Sequence, residues 1–356
     1  MRLEQLRAKI AEHELDGCLI TDPLNRRYLS GFSGTAGWLL ITAGRAILIV
    51  DFRYFERAAR EAPAWEQARV QTTYPDALAE AVAEAGVQRL GFESDHVTVA
   101  QLHELETKLP GVTLVPLEKL VLPLRAIKDE GEIAALRAAV ACADRAFAHL
   151  CQVIRPGMTE IDIAWELESA MRRDGAAATS FATIVGSGPN GAMPHATAGE
   201  RIVQAGEPIV MDFGALVDGY CSDITRTLCL HQADERYLEI WNLVLQAQRA
   251  VEEQIRPGMT GQQADAIARD LFARAGYGEN FGHGLGHGVG LAIHETPFMS
   301  RLAEDVILKA GMVLTVEPGI YVPGWGGVRI EDMVILREDG AEVLTQAPKQ
   351  PVLDRA

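Results

Sequence analysis

The hexapeptide IRPGMT occurs twice in this chain, at Ile154–Thr159 and again at Ile255–Thr260, 101 residues apart. Six identities in a row are not a chance match, and the flanks agree as well. A helical pattern precedes each copy, and another follows it with a glycine at the equivalent place, Gly175 and Gly276. Proline and glycine set a turn between two helices, and threonine is suited to cap the second. After each copy the pattern changes to strands and glycine-rich loops. Two similar α+β halves related by a pseudo-twofold repeat are therefore expected, with a cleft where they meet. The repeat speaks to architecture, not to chemistry.

Ahead of the repeat, helix-like and strand-like patterns alternate. LEQLRAKIAEHEL has helical period and GCLIT is a short apolar run. WLLIT and AILIVD read as strands joined at Ala43-Gly44, and DFRYFERAAREA returns to helix. Two further helix-then-strand units follow, so a small α/β domain is expected. Pro116 and Pro123 bracket a break before a long helical stretch. The boundary is placed near residue 122, giving domains 1–122 and 123–356.

Composition limits the function classes. At 356 residues the chain can hold two domains, each with its own core. No apolar run reaches the roughly 18 residues that span a bilayer, and the amphipathic N-terminus carries no signal-peptide core. Five cysteines form no CxxC pair, which points to a reduced, cytoplasmic setting. A net charge of −16 argues against a nucleic-acid partner, because nothing here would neutralise phosphates.

Acids inside apolar strands are the strongest chemical signal. PIVMDFGALVDGYCSDITRTLCL reads as a hairpin about the turn Asp218-Gly219. In that register Asp212 lies opposite Thr225 and Asp223 opposite Gly214, so the two acids share a face as diagonal neighbours. Buried acids are costly unless paired or bound to a cation; solvent-facing acids on an edge hairpin would read the same way. A second hairpin, MVLTVEPGIYVPGWGGVRIEDMVIL, places Glu317 and Glu331 on either side of a Pro/Gly-rich connection, with Arg329 on the face of Glu331. An ion pair with Arg329 is the plainer reading of that segment alone. Two such hairpins together suit an oxygen-rich cation site of the Mn, Mg or Co type.

Histidines supply the rest. His283, His287 and His294 fall within twelve residues among five glycines, which allow close backbone approach. His195 sits in the loop IVGSGPNGAMPHATAG, of the sort that carries catalytic groups. Phosphate-binding glycine signatures and the GxSxG nucleophile elbow are absent.

Together these segments resemble the pita-bread metallopeptidases, specifically the Xaa-Pro peptidases, prolidase and aminopeptidase P. The matching pieces are MDFGALVDGYCSDITRT, GHGLGHGVGLAIHE, TVEPGIYVPGWGGVRIED and LRAIKDEGEI. NRRYLSGFSG resembles the creatinase/prolidase-type N-terminal domain. The resemblance implies an α+β pita-bread catalytic domain behind a smaller α/β domain, and two divalent metal ions per subunit, Mn foremost, with Co or Zn as alternatives. Asp212, Asp223 and Glu331 would hold one ion; Asp223, His287, Glu317 and Glu331 would hold the other. A hydroxide bridging the two would be the nucleophile, with Glu317 as proton shuttle. His195, His283 and His294 would bind the scissile carbonyl and its tetrahedral intermediate, and Arg329 would orient Glu331 or its neighbours. The substrates implied are small peptides with proline second, cut by an exopeptidase that works as a homodimer.

One position departs from the pattern. Many prolidases carry, after the HExP segment, an arginine that binds the proline carboxylate; here HETP is followed by Phe298. Arg26, Arg27, Arg45 and Arg53 of the N-terminal domain are candidate substitutes. Xaa-Pro dipeptidase is the leading expectation, and aminopeptidase P acting on longer Xaa-Pro-Yaa peptides is the alternative. A non-catalytic binding module on this fold would be expected to have lost ligands, and all five are present.

Overall fold

The computed structural model describes residues Arg2–Asp354. It divides into two compact units, one ending at Arg125 and one starting at Ala126. This division falls inside the short helix Leu122–Ala126, a few residues beyond the position read from the proline bracket.

The first unit is a six-stranded sheet in the order Glu66–Arg69, Ala46–Val50, Trp38–Thr42, Gly17–Ile20, Arg89–Glu93 and Thr113–Leu117. Its inner strands are continuous apolar runs because helices cover the sheet; Leu19, Leu40, Ile47, Ile49 and Leu90 are fully buried in its core. Helix starts follow their caps. Asp22 accepts from the Asn25 amide ahead of Pro23, and Thr98 with Gln101 forms a capping box. Of the arginines considered as substrate anchors, Arg26 is 3% exposed. Its guanidinium donates to the Gly37 carbonyl at 2.6 Å and the Gly34 carbonyl at 2.5 Å, so it holds a loop of this unit together. Arg45 pairs with Glu66 and Arg53 with Asp51, both near the surface.

The second unit opens on the long helix Glu130–Val153, started by a capping box of Asp129 and Glu132. Each IRPGMT copy then makes the same turn. Gly157 and Gly258 both adopt positive φ, 94° and 92°, where only glycine is unstrained. Thr159 and Thr260 both cap the next helix through a capping box. Both threonines also form a single bridge to a later strand-like residue, Ile202 and Ile307. The two halves are thus built on one plan, each with its own core. Phe147, Leu167, Met211 and Phe213 lie in the first; Trp241, Phe272, Leu314 and Val334 lie in the second.

Two bent hairpins shape the interior. In the first, Asp218 and Gly219 both have positive φ, the turn read from sequence. Ile209–Phe213 pairs with Ile224–Leu230 in one sheet, with Asp212 opposite Thr225. Beyond Gly214, the strands Ala215–Val217 and Tyr220–Cys221 pair within another sheet. The hairpin folds over itself at this break: a Cβ on Gly214 would lie 1.9 Å from the Ser222 carbonyl oxygen. The second hairpin breaks in the same way. Val313–Val316 pairs with Asp332–Arg337 in the five-stranded sheet, while Gly319–Val322 pairs with Gly326–Arg329 as a separate ribbon.

Alanine at Gly214 should therefore open the first bend. We expect Gly214→Ala to cost about 1–3 kcal/mol in urea unfolding, as over-packing of a filled site does. Gly44→Ala, with nothing within 4 Å of the added carbon, should change stability by less than about 0.5 kcal/mol. Equal, small effects at both positions would show that the bend has room to spare.

Candidate active site

Three of the four acids stand at or beside the two breaks, and the fourth is close by. Asp223 lies just past the first break; Glu317 and Glu331 lie at the second; Asp212 is the penultimate residue of its strand. A bend turns successive side chains inward that a straight strand would send to opposite faces. Ligand oxygens of Asp212, Asp223 and Glu331 consequently come within 4.8 Å of one another, with Asp223 5% and Glu331 1% exposed. Burial, and then the charge of Glu331, raises the Asp223 carboxyl well above the usual carboxylate range. Burial, followed by Glu317 and Asp212, does the same to Glu331. Glu317 is raised as well, chiefly by burial. One oxygen of Asp212 is buried without a hydrogen-bond partner.

His287 completes the cluster from the strand Gly286–Gly288. Its Nδ1 lies 3.1 Å from the Gly288 carbonyl oxygen, to which it donates. The Nε2 lone pair therefore faces Glu317 Oε1 at 3.4 Å and Asp223 Oδ2 at 3.6 Å. Burial lowers the imidazole pKa, which keeps the ring neutral. An acceptor nitrogen surrounded by acceptor oxygens, beside an unpartnered carboxylate oxygen, is a set of donors for cations. These residues fit divalent metal ions.

Arg329, 3% exposed, organises one side of this set. It donates to Asp212 Oδ2 at 2.6 Å, to Thr225 Oγ1 at 2.9 Å and to the Tyr321 hydroxyl at 2.7 Å. Thr225 in turn donates to Glu331 at 2.6 Å. Arg329 thus pairs directly with Asp212 and reaches Glu331 only through Thr225. The Tyr321 hydroxyl donates onward to His283 Nε2 at 2.9 Å, and His283 Nδ1 donates to the Gly284 carbonyl. Both nitrogens of His283 are therefore engaged within the protein. Tyr321 and Thr225 were not singled out from the sequence. A signal for Tyr321 existed, since it shares strand parity with Glu317, and Gly319 leaves the space its ring occupies.

Buried polar groups on the two post-turn helices hold the histidine loops. Glu160, fully buried, accepts from the amides of Ser187 and Gly199 and from Asn190, closing the loop that carries His195. Asp265 pairs with Arg269, whose guanidinium donates to the carbonyls of Phe281 and His283 at 2.8 Å each. Behind Glu331, Arg226 donates to the Glu331 carbonyl at 2.5 Å and pairs with Asp332, which also pairs with Lys349.

The cluster forms the floor of a cavity of about 620 Å³. Phe181, Ile184, Pro194, Ile293 and Phe298 make much of its wall apolar, and His195 and His294 also line it. The His294 ring sits 4.3 Å from that of His287, centre to centre. Phe298 is directly across the strand pair from His287 and is half exposed. The arrangement offers a set of cation ligands with the His294 imidazole packed against them, and His195 and an apolar wall lining the same cavity.

Comparison with known proteins identifies the family. The Creatinase/Prolidase N-terminal domain profile matches residues 2–127 and that of Metallopeptidase family M24 matches residues 134–338. An uncharacterized peptidase of Bacillus subtilis, YqhT, is 41% identical over 99% of this chain and 100% of its own length. An Xaa-Pro dipeptidase of Pyrococcus horikoshii is 36% identical over 95% of each chain. Among solved structures, an Xaa-Pro dipeptidase from Bacillus anthracis superposes with a TM-score of 0.96 at 44% identity, covering 99% of this chain and 98% of that one. An X-Pro aminopeptidase from Thermotoga maritima reaches 0.94 at 35% identity over the whole of both chains. By profile, by full-length identity and by structure, the chain belongs to metallopeptidase family M24 and carries the pita-bread catalytic domain behind a creatinase/prolidase-type N-terminal domain.

Proposed function

We propose that this metallopeptidase is an Xaa-Pro dipeptidase that removes the residue before proline, using two divalent cations. The observation that carries the reading is the buried set of Asp212, Asp223, His287, Glu317 and Glu331 beneath a cavity flanked by His195 and His294. In this reading Asp212, Asp223 and Glu331 hold one ion, and Asp223, His287, Glu317 and Glu331 hold the second. Mn suits this oxygen-rich set best, with Co and Zn as substitutes. When bound, the cations supply a water acidified to near-neutral pH for attack on the scissile carbonyl.

The chain's own groups do the rest. Glu317, with one oxygen held by Thr315 at 3.0 Å, takes up the water's proton and passes it to the departing proline nitrogen. His195 and His294 make no hydrogen bond among the described residues, so their ring nitrogens are available to the carbonyl oxygen as it gains charge. His283 acts through Tyr321 and Arg329, keeping Asp212 in place. The substrate's free α-amine reaches the acid cluster, which confines cleavage to the first residue.

Substrate length is the second question, and Phe298 favours an alternative. An apolar side chain at that place offers no charge to a proline carboxylate, which suits longer Xaa-Pro-Yaa peptides. The named relatives include both a dipeptidase and an aminopeptidase. A cytoplasmic homodimer is part of the proposal. The five free thiols suit the reducing compartment, and the dimer rests on the family resemblance.

Metal analysis of the active protein should find two ions per chain, and hydrolysis of Ala-Pro should exceed that of Ala-Pro-Ala. Fewer than two ions per active chain would defeat the two-ion arrangement, and the reverse preference would make the enzyme an aminopeptidase P. Phe298→Arg should shift the balance roughly tenfold or more toward Ala-Pro, the effect of a charge-assisted hydrogen bond; an unchanged ratio would mean that this wall does not contact the second residue.

The raised carboxyls also give the metal-free protein a pH signature. Asp223 and Glu331 hold protons in the folded state at pH values where the unfolded chain has released them. In the metal-free form the contribution of these two carboxyls to stability should therefore be full below the ordinary carboxylate range, about pH 4, and be lost as pH rises through the raised values. Adding Mn should remove that slope and release protons, measurable as a buffer-dependent heat of binding. The buried His283, His287 and His294, whose pKa values are lowered, oppose this trend, so the slope is compared with that of Glu331→Gln: a metal-free wild type whose Tm falls no more steeply with pH than the variant's would contradict the strained cluster.

A further inference from the structure

The IKDEGEI segment matched the family pattern, but no step of the proposed reaction uses it. Its lysine is placed unexpectedly. Lys128 is a fully buried cation: its ammonium lies 2.7 Å from Glu295 Oε1, with side-chain exposures of 0% and 2%. Its backbone amide is tied to the Gly311 carbonyl at 2.9 Å, so the lysine is anchored at its root as well as its tip. Glu295 is the residue immediately after His294.

The loop that carries His294 is wrapped around this carboxylate. Glu295 pairs with Gly288 across the strands, whereas the neighbouring His287 pairs with Phe298, so the chain bulges at Thr296 and Pro297. The second oxygen of Glu295 accepts from the Ala292 amide at 3.4 Å. Gly290 leaves room for the first: a Cβ there would lie 2.3 Å from Glu295 Oε1. The loop is closed by Gly290 donating to the Ala292 carbonyl at 3.0 Å, while the Gly290 carbonyl accepts from Cys221 at 2.8 Å. His294 thus stands between two fixed points, the Ala292 amide and the Glu295 side chain.

We infer that Lys128 and Glu295 are a positioning pair for His294, with Gly290 ceding the space their contact needs. A buried ion pair adds little stability over a well-packed apolar pair of the same volume. Its consequence lies in what it immobilises, and here that is the backbone bearing one of the two imidazoles open to the substrate. Neither residue lines the cavity that holds the acid cluster, so the pair acts on the imidazole rather than on the cations. This inference rests on the peptidase reading given above.

The test compares wild type with Lys128→Met/Glu295→Gln, in which both charges are removed together so that no lone buried charge remains. Hydrolysis of Ala-Pro should lose about 10- to 100-fold in kcat, the size of effect seen when a supporting partner is removed. KM should move less than about threefold and the metal content should not change. Introduced on a His294→Ala background, the same double change should cost nothing further, because the group it positions is already gone. A full loss on that background, an unchanged kcat, or depletion of metal would each overturn the assignment. Should the double variant not fold, Gly290→Ala displaces the carboxylate while leaving both charges, and it should give the same kcat loss and the same non-additivity. If wild-type protein does not cleave Ala-Pro or Ala-Pro-Ala, the peptidase reading fails on its own. The pair is then judged by ¹H–¹⁵N spectra of histidine-labelled protein, where the His294 ring signal should be sharp in wild type and broadened in the variant; identical spectra would refute it.

Discussion

Four carboxylates and one imidazole, most of them buried, meet at the floor of one cavity, and this concentration of like charge is the constraint the catalytic unit is organised around. Taken alone, the cluster is unfavourable: burial and mutual repulsion lift Asp223 and Glu331 far from their ordinary values. The fold tolerates it because the acids sit on backbone that cannot relax away from the pocket. Each hairpin is doubled over at the break that brings its acids inward, and the Ser222 carbonyl oxygen occupies the space a Cβ on Gly214 would need. Cations turn the same arrangement from repulsion into attraction, which is why a metallopeptidase can carry such a site.

Rigidity around the cluster comes from buried polar groups arranged in layers. Arg329 is shared among Asp212, Thr225 and Tyr321, so one guanidinium fixes an acid, a hydroxyl that holds a second acid, and the tyrosine that holds His283. Arg226, Asp332 and Lys349 support the backbone of Glu331 from behind. The helices that follow the two RPGMT turns carry Glu160 and the Asp265–Arg269 pair, which secure the loops of His195 and His283. Lys128 and Glu295 secure the third loop. The repeat therefore matters to the site: each half sets a helix beside the loop it must hold.

Much of this was legible in the sequence because the relevant rules are local. The Asp218-Gly219 turn and strand parity led to the pairing of Asp212 with Thr225 that the structure shows, and the two IRPGMT copies led to two equivalent turns with threonine caps. Other features could not be read. Parity assumes a straight strand, so the breaks at Gly214 and beside Glu317, which bring the acids together, had no local signature beyond the glycines and Pro318. Parity placed Arg329 on the face of Glu331, to orient it or its neighbours, but did not say which: the partner is Asp212, 117 positions away. His283 looked like its neighbours His287 and His294, and only its hydrogen bonds to Tyr321 and Gly284 separate its place from theirs. Arg26, one of the four candidate carboxylate anchors, is buried on two carbonyls.

The sequence alone determined which residue types were available and which face of each strand they occupied, because turn chemistry, capping and side-chain alternation depend on neighbours a few positions apart. It also carried enough motif to indicate the family. The tertiary structure decided which acids meet, which histidines remain open and which buried charges steady them. Those outcomes depend on distances between segments a hundred or more residues apart, and on burial, which changes what a carboxylate or an imidazole will do; neither quantity exists until the chain has folded.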